Sequence, residues 1–257
     1  MLRIYQYTIQ LLIVGQIFFN INLSWSQSTK PKTDSVVFHY KLGINGTFDK
    51  SLVTRLIFNT QNSFVFRNNW ASFEPTFNYR FGYVQPANRP KTDLENDILI
   101  LLKCHFWYQN KVFPSVFIGF ENSPNIRQLD NRLFMGMGLG SFLLKSKNHQ
   151  LQATLYGMYE QSDFETFRYE VFRMMPFIKG NHFLQSKHMG VSYTLQPFMA
   201  LNSKENQRFR GTLRPYFKLS KTLEFSISYD LWYESLVSGT QPKEISVILL
   251  GFNYSNF

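Results

Sequence analysis

The chain has 257 residues, a formal net charge of +10 and one cysteine, so no intrachain disulfide staples it. Aromatic residues make up 18%, with 27 Phe and 14 Tyr, which exceeds ordinary usage and fits a surface that faces lipid and its interfaces. Mean hydropathy is −0.22 and no segment after the N-terminal one is apolar enough for a spanning helix, while Lys and Arg are spread along the chain rather than gathered as nucleic-acid binding requires.

Residues 1–26 read as an export signal. Arg3 is followed by an apolar stretch from Ile9 to Leu23, and Ser24-Trp25-Ser26 places small residues at the −3 and −1 positions, predicting cleavage before Gln27. Gln16, Asn20 and Asn22 interrupt the stretch, which argues against a membrane anchor, and no cysteine follows it to carry a lipid. The expected domains are therefore a signal peptide over 1–26 and one β-barrel over 27–257.

From residue 36 onward apolar and polar residues alternate, and residues two apart on a strand share a face. The clearest run is 72–85, with Phe73, Pro75, Phe77, Tyr79, Phe81 and Tyr83 on one wall and Ser72, Glu74, Thr76, Asn78, Arg80 and Gly82 on the other. Twelve runs follow this rule: 36–48, 51–69, 72–85, 94–109, 112–122, 130–145, 148–162, 165–180, 183–202, 206–219, 222–235 and 243–257. The second stays whole because Leu52, Leu56, Phe58, Phe64 and Phe66 keep one phase. Pro75, Pro197 and Pro215 fall inside runs and predict bulges or boundary shifts.

The connections support the even count. Those after even-numbered runs are short and include Asn110-Lys111, Gly180-Asn181-His182 and Ser220-Lys221-Thr222; the longer ones, 86–93, 123–129 and 236–242, all follow odd-numbered runs. With both termini in the periplasm this is the pattern of an outer-membrane barrel. The expected fold is thus all-β, a transmembrane antiparallel up-and-down barrel of about twelve strands. The last run adds an expected assembly signal, Gly251, Tyr254 and Phe257, although Asn256 stands where an apolar residue is usual.

Three stretches carry a family resemblance: Asn59-Thr60-Gln61-Asn62-Ser63-Phe64 followed by Val65-Phe66-Arg67; residues 95–121, ENDILILLKCHFWYQNKVFPSVFIGFE; and residues 129–142, LDNRLFMGMGLGSF, in which Arg132 precedes Gly136, Gly138 and Gly140. In their order and spacing these resemble the salt-induced outer membrane protein family, also called domain of unknown function 481. The resemblance implies an outer-membrane barrel of unassigned activity with no catalytic residues to carry over.

Candidate functional residues lie on the wet faces. Arg208, Arg210, Arg214 and Lys218 share one face of run 206–219; Glu224, Asp230 and Glu234 share one face of run 222–235. A three-residue turn sets Lys218 opposite Glu224 and Arg208 opposite Glu234, each pair contributing a few tenths to about 1 kcal/mol. Lys103, His105 and Arg132 complete the lumen candidates. Such a wall either tunes the passage of small anions or zwitterions or forms a salt-bridged plug. The three glycines after Arg132 precede no helix, so they are no phosphate loop; they leave room for a bulky neighbour or sharpen the curvature of the strand. No His falls at metal-ligand spacing, and no cofactor is expected. The leading expectation is a narrow pore or plugged structural barrel. The alternatives are a barrel-embedded hydrolase acting on lipid or peptide, and a soluble ligand-binding β-sandwich. The expected partners are outer-membrane lipid, the barrel-assembly machinery reading the last strand, and small solutes, for a monomer without nucleic acid.

Overall fold

The computed structural model describes residues 36–50, 53–86, 90–125, 127–184, 188–203, 206–237 and 242–256. The expected signal peptide and Phe257 lie outside them. The described residues form no helix. They form twelve strands: β1 (Val37–Lys50), β2 (Val53–Arg67), β3 (Ala71–Pro86), β4 (Thr92–Phe106), β5 (Val112–Ser123), β6 (Leu129–Lys145), β7 (His149–Phe164), β8 (Arg168–Phe183), β9 (Met189–Ala200), β10 (Gln207–Lys218), β11 (Leu223–Glu234) and β12 (Glu244–Ser255). Each pairs antiparallel with its chain neighbours, and β1 meets β12 to close one barrel. Closure satisfies every strand edge, the condition for crossing lipid with strands. A sandwich would bury the aromatic rows in a shared core; here they face outward, so the sandwich expectation is overturned.

Lys41 lies opposite Ser255, so the barrel begins and ends at one rim, called here the terminal end. The connections 68–70, 107–111, 146–148, 184–188 and 219–222 also lie there. At the distal end, 51–52, 87–91, 124–128, 165–167 and 201–206 are short as well, and 235–243 is the long one. The contrast between the two ends is weaker than the sequence indicated, because β3 and β4 run further toward their connection than the alternation showed.

The largest boundary error falls between β8 and β9. Gly180-Asn181-His182 reads as a turn, yet all three are strand residues and the turn follows Phe183. Gly180 serves packing instead: a Cβ there would lie 2.2 Å from the Tyr193 ring. The prolines also act differently from expectation. The β2–β3 pairing passes from Ser63↔Thr76 to Phe66↔Phe73 around Pro75, and the β10–β11 pairing from Leu213↔Tyr229 to Tyr216↔Ser226 around Pro215, with no change of register. Each proline lacks an N–H, so rungs are lost without a bulge. The shifts of register occur elsewhere, at Gly82/Tyr83, Glu121/Ser123, Leu129/Asn131 and Phe142/Leu144.

The outer wall is apolar. Met137, Leu139, Phe172, Ile248, Leu250 and Phe252 are all exposed on it. Near the terminal end, Phe38 lies 4.9 Å from Phe66, which lies 6.3 Å from Phe73, while Tyr40 lies 5.9 Å from Tyr254. Trp70 and Phe106 continue the band at 6.1 Å. Such a belt suits the interface between lipid tails and headgroups.

The inner wall interlocks across β5 and β6. Phe117 faces Gly136, Phe113 faces Gly140, and Phe134 faces Gly119. A Cβ on Gly136 would come within 2.7 Å of the Phe117 ring, and one on Gly140 within 2.4 Å of Phe113. The absent side chains make room for bulky neighbours, as the sequence indicated. Gly136→Ala is therefore expected to cost about 1–3 kcal/mol by overpacking. Urea unfolding in lipid measures this; an unchanged midpoint would show that the ring moves freely aside.

Candidate functional site: the barrel lumen

Period-two alternation turns one residue in two of every strand into the lumen, where twelve strands leave a space whose openness depends on its side chains. In the distal half that space is filled by ion pairs. Glu160 on β7 sits at the centre. Its Oε2 accepts hydrogen bonds from Arg208 at 2.7 Å and Arg173 at 3.2 Å, and its Oε1 lies 3.3 Å from Arg132 Nε. Glu160, Arg132 and Arg173 are 0% exposed and Arg208 is 4% exposed.

The pairs spread from there. Arg132 donates to Ser162 at 2.8 Å, to Glu121 at 3.1 Å and to Glu234. Glu121 also accepts from Arg210 and, at 2.6 Å, from Arg127. Arg80 bonds Asp230 at 3.3 Å, lies 3.4 Å from Glu95 and covers the Trp232 ring at 3.8 Å. Two connections reach inward: Arg127 from 124–128, and Asn206 from 201–206, whose Oδ1 accepts from Arg173 at 2.6 Å. The cavity among Arg127, Arg208, Arg210, Trp232 and Glu234 measures about 10 Å³, room for about one water.

Toward the barrel middle the lumen is apolar. Phe117, Phe134, Tyr156, Met158, Met175, Phe177 and Phe198 form one buried cluster, against which Leu99 and Leu101 pack. Ile57, Val247 and Leu249 form a second. The runs read as one apolar wall and one wet wall, so apolar clusters inside the lumen are a correction to that reading. Alternation alone hid them: on β8 both Val171, Met175 and Phe177, which are buried, and Phe172 and Met174, which are exposed, are apolar.

The sequence candidates divide between the two halves. Arg132, Arg208, Arg210, Asp230 and Glu234 join the distal network. Lys103, His105, Arg214, Lys218 and Glu224 lie in the terminal half. There Glu224 pairs with Lys41 and, at 3.3 Å, with Arg214; His105 Nε2 lies 3.8 Å from Glu74. Lys103 covers the Phe177 ring at 4.3 Å and Lys218 the Phe183 ring at 4.5 Å. Register sets Arg208 opposite Glu234 and Lys218 opposite Glu224, as the turn length predicted. Neither couple is an ion pair. Arg208 reaches Glu160, and Glu234 is held by Arg132, because long side chains in a narrow barrel meet across it rather than along one wall.

Sequence reasoning missed Arg80, Arg127, Arg173, Glu95, Glu121, Glu160, Lys41 and Lys179. Inward parity picks out those on strands; Arg127 and Asn206 carried no such signal. It also missed His149 and His182, which sit opposite each other with their Nδ1 atoms 3.3 Å apart. In the last strand, Gly251 lies in the seam, where a Cβ would meet Ile44 O at 2.1 Å, and Tyr254 points outward.

The chain is similar in fold to an outer membrane channel from Pseudomonas putida F1, with 10% identity, a TM-score of 0.50, and 90% of this chain and 98% of that one covered. It also aligns with the NanC porin at 7% identity over 85% of this chain and 99% of that one, with a TM-score of 0.49. A third alignment, to the translocator domain of the autotransporter NalP from Neisseria meningitidis, has 8% identity, 98% coverage of each chain and a TM-score of 0.42. No family model matches the chain, and no curated protein matches it in sequence. The described strands thus form a closed twelve-strand barrel whose fold is similar to that of an outer membrane channel, with activity unassigned.

Removing a partner from a buried ion pair costs about 3–5 kcal/mol, because a charge is left uncompensated. Among the described residues, Glu160→Gln removes the one carboxylate that pairs with Arg173 and Arg208 and one of three that pair with Arg132, and is expected to lower unfolding stability by about that amount. Asp163, which pairs with the exposed Arg168, gives the contrast: Asp163→Asn is expected to cost about 1 kcal/mol or less. Equal effects of the two changes would show that the network is solvated.

Proposed function

We propose that this chain is an exported integral outer-membrane barrel with a closed lumen: a plugged structural barrel rather than a diffusion pore or an enzyme. The observation that carries the reading is the Glu160 carboxylate, shared by Arg132, Arg173 and Arg208 with no solvent exposure of its own. Three strands beyond its own thereby meet at one point of the lumen, and the apolar cluster behind it supports the same seal.

Residues 1–26 are read as the cleaved signal and 27–257 as the barrel domain. The terminal end faces the periplasm, and β12, with Gly251 and Tyr254, is the strand read by the assembly machinery before it closes on β1. The resemblance in residues 59–67, 95–121 and 129–142 belongs to this reading: the chain is taken as a member of the salt-induced outer membrane protein family. The barrel is read as a monomer, a reading supported by the closure of β1 on β12, which leaves no open sheet edge among the described strands for a second copy to complete.

Planar-bilayer recording tests the reading. The folded protein, identified by its heat-dependent mobility shift, is expected to insert without discrete current steps in either anion or cation gradients. Reproducible single-channel steps from that folded form would overturn the closed lumen and favour a narrow pore.

A further inference from the structure

The two halves of the lumen differ in charge and in access to solvent. In the distal half, the ion-pair network of Arg80, Arg127, Arg132, Arg173, Arg208 and Arg210 with Glu95, Asp97, Glu121, Glu160, Asp230 and Glu234 is balanced in formal charge, while the exposed Arg55 and Lys243 lie at its rim. In the terminal half, Lys41, Arg67, Lys103, Lys145, Lys179, Arg214 and Lys218 meet two carboxylates, Glu74 and Glu224. Both are already engaged: Glu74 lies 3.3 Å from Arg67 and 3.8 Å from His105, and Glu224 pairs with Lys41 and Arg214. Lys103 and Lys179 form no ion pair among the described residues. The excess is five positive charges among these residues, on walls contributed by strands all around the barrel.

These cations converge. Lys103 on β4 rests over Phe177 on β8, two residues from Lys179 on the same face, and Lys41 on β1 and Arg214 on β10 meet at one carboxylate, Glu224. Lys179 is exposed although it points into the lumen, flanked in register by Gln152 and Thr194. Solvent therefore enters this half. The buried rings of Phe177 and Tyr156 lie inward of it, and Lys103 rests over Phe177. An open cationic cup with an aromatic base, lined by lysines that lack carboxylates, is a site short of anions. Lysine ammonium groups each offer three donors from a flexible stem, which suits a compact oxyanion better than a planar one.

We propose that the terminal half of the lumen is an anion-binding vestibule, in which Lys41, Lys103, Lys179 and Arg214 hold a compact, multiply charged oxyanion of the phosphate class. That the vestibule is blind rests on the closed-lumen reading; that it binds does not. With the terminal end in the periplasm, the site receives small anions of that compartment.

Isothermal titration of the membrane-purified protein in detergent, with inorganic phosphate at low ionic strength, tests the site. Chloride at matched ionic strength is the control. Saturable one-to-one binding of phosphate but not chloride is expected, weakened about ten-fold or more by Lys179→Gln, since charge-assisted hydrogen bonds are the strong ones. Lys179 holds no buried partner, so this variant should still fold and show the mobility shift of the parent. Lys91→Gln, in the distal connection where its ammonium covers the Tyr83 ring at 4.0 Å, should bind as the parent does. Absence of saturable phosphate binding to the folded protein, or equal affinity in the folded Lys179→Gln variant, would overturn the proposal. Current steps in a bilayer together with phosphate binding would overturn the blind end alone and leave the site standing.

Discussion

A barrel wall satisfies its own backbone, so what remains to be reconciled in this fold is the content of the lumen. Here the reconciliation centres on Glu160. One carboxylate in a space without solvent draws guanidinium groups from β6, β8 and β10, and those groups draw in Glu121 and Glu234 from β5 and β11. The network ties nonadjacent strands across the barrel, which the wall hydrogen bonds do not. Its net worth against an apolar filling is small, since desolvation offsets most of the attraction, whereas the loss of a single partner is costly because it leaves a buried charge uncompensated.

Apolar packing continues the seal toward the terminal end. Phenylalanines on β5 and β6 fill spaces left by glycines on the facing strand, so the wall itself is thin where the rings are thick. Only below this layer does the lumen admit solvent, and there the charges are no longer balanced. A buried, charge-balanced network in one half and a cationic, solvent-exposed space in the other are the two features from which the functional readings derive.

Much of the wall was legible in the alternation. Twelve runs, their order and the phase of each came from period two, and the β10–β11 register came from one short turn. The β8–β9 boundary was not legible, because Gly180-Asn181-His182 has turn chemistry, and the need for Gly180 arises from the Tyr193 ring on another strand. The interior was legible only by face. Alternation shows that Arg208 and Arg132 point inward; it cannot show that both reach Glu160, since that depends on barrel width and shear. Arg127 and Asn206 lie in connections, where no periodicity marks which side chain turns in. The apolar clusters were masked because lipid and lumen faces of β8 carry the same kinds of residue.

The most direct test of the central claim is a crystal structure of the protein at a resolution that shows side chains and ordered water. The account predicts continuous density from Glu160 to Arg132, Arg173 and Arg208, with dry packing around Phe117, Tyr156 and Phe177 behind it. A water-filled path running past Glu160 from one rim to the other would contradict it.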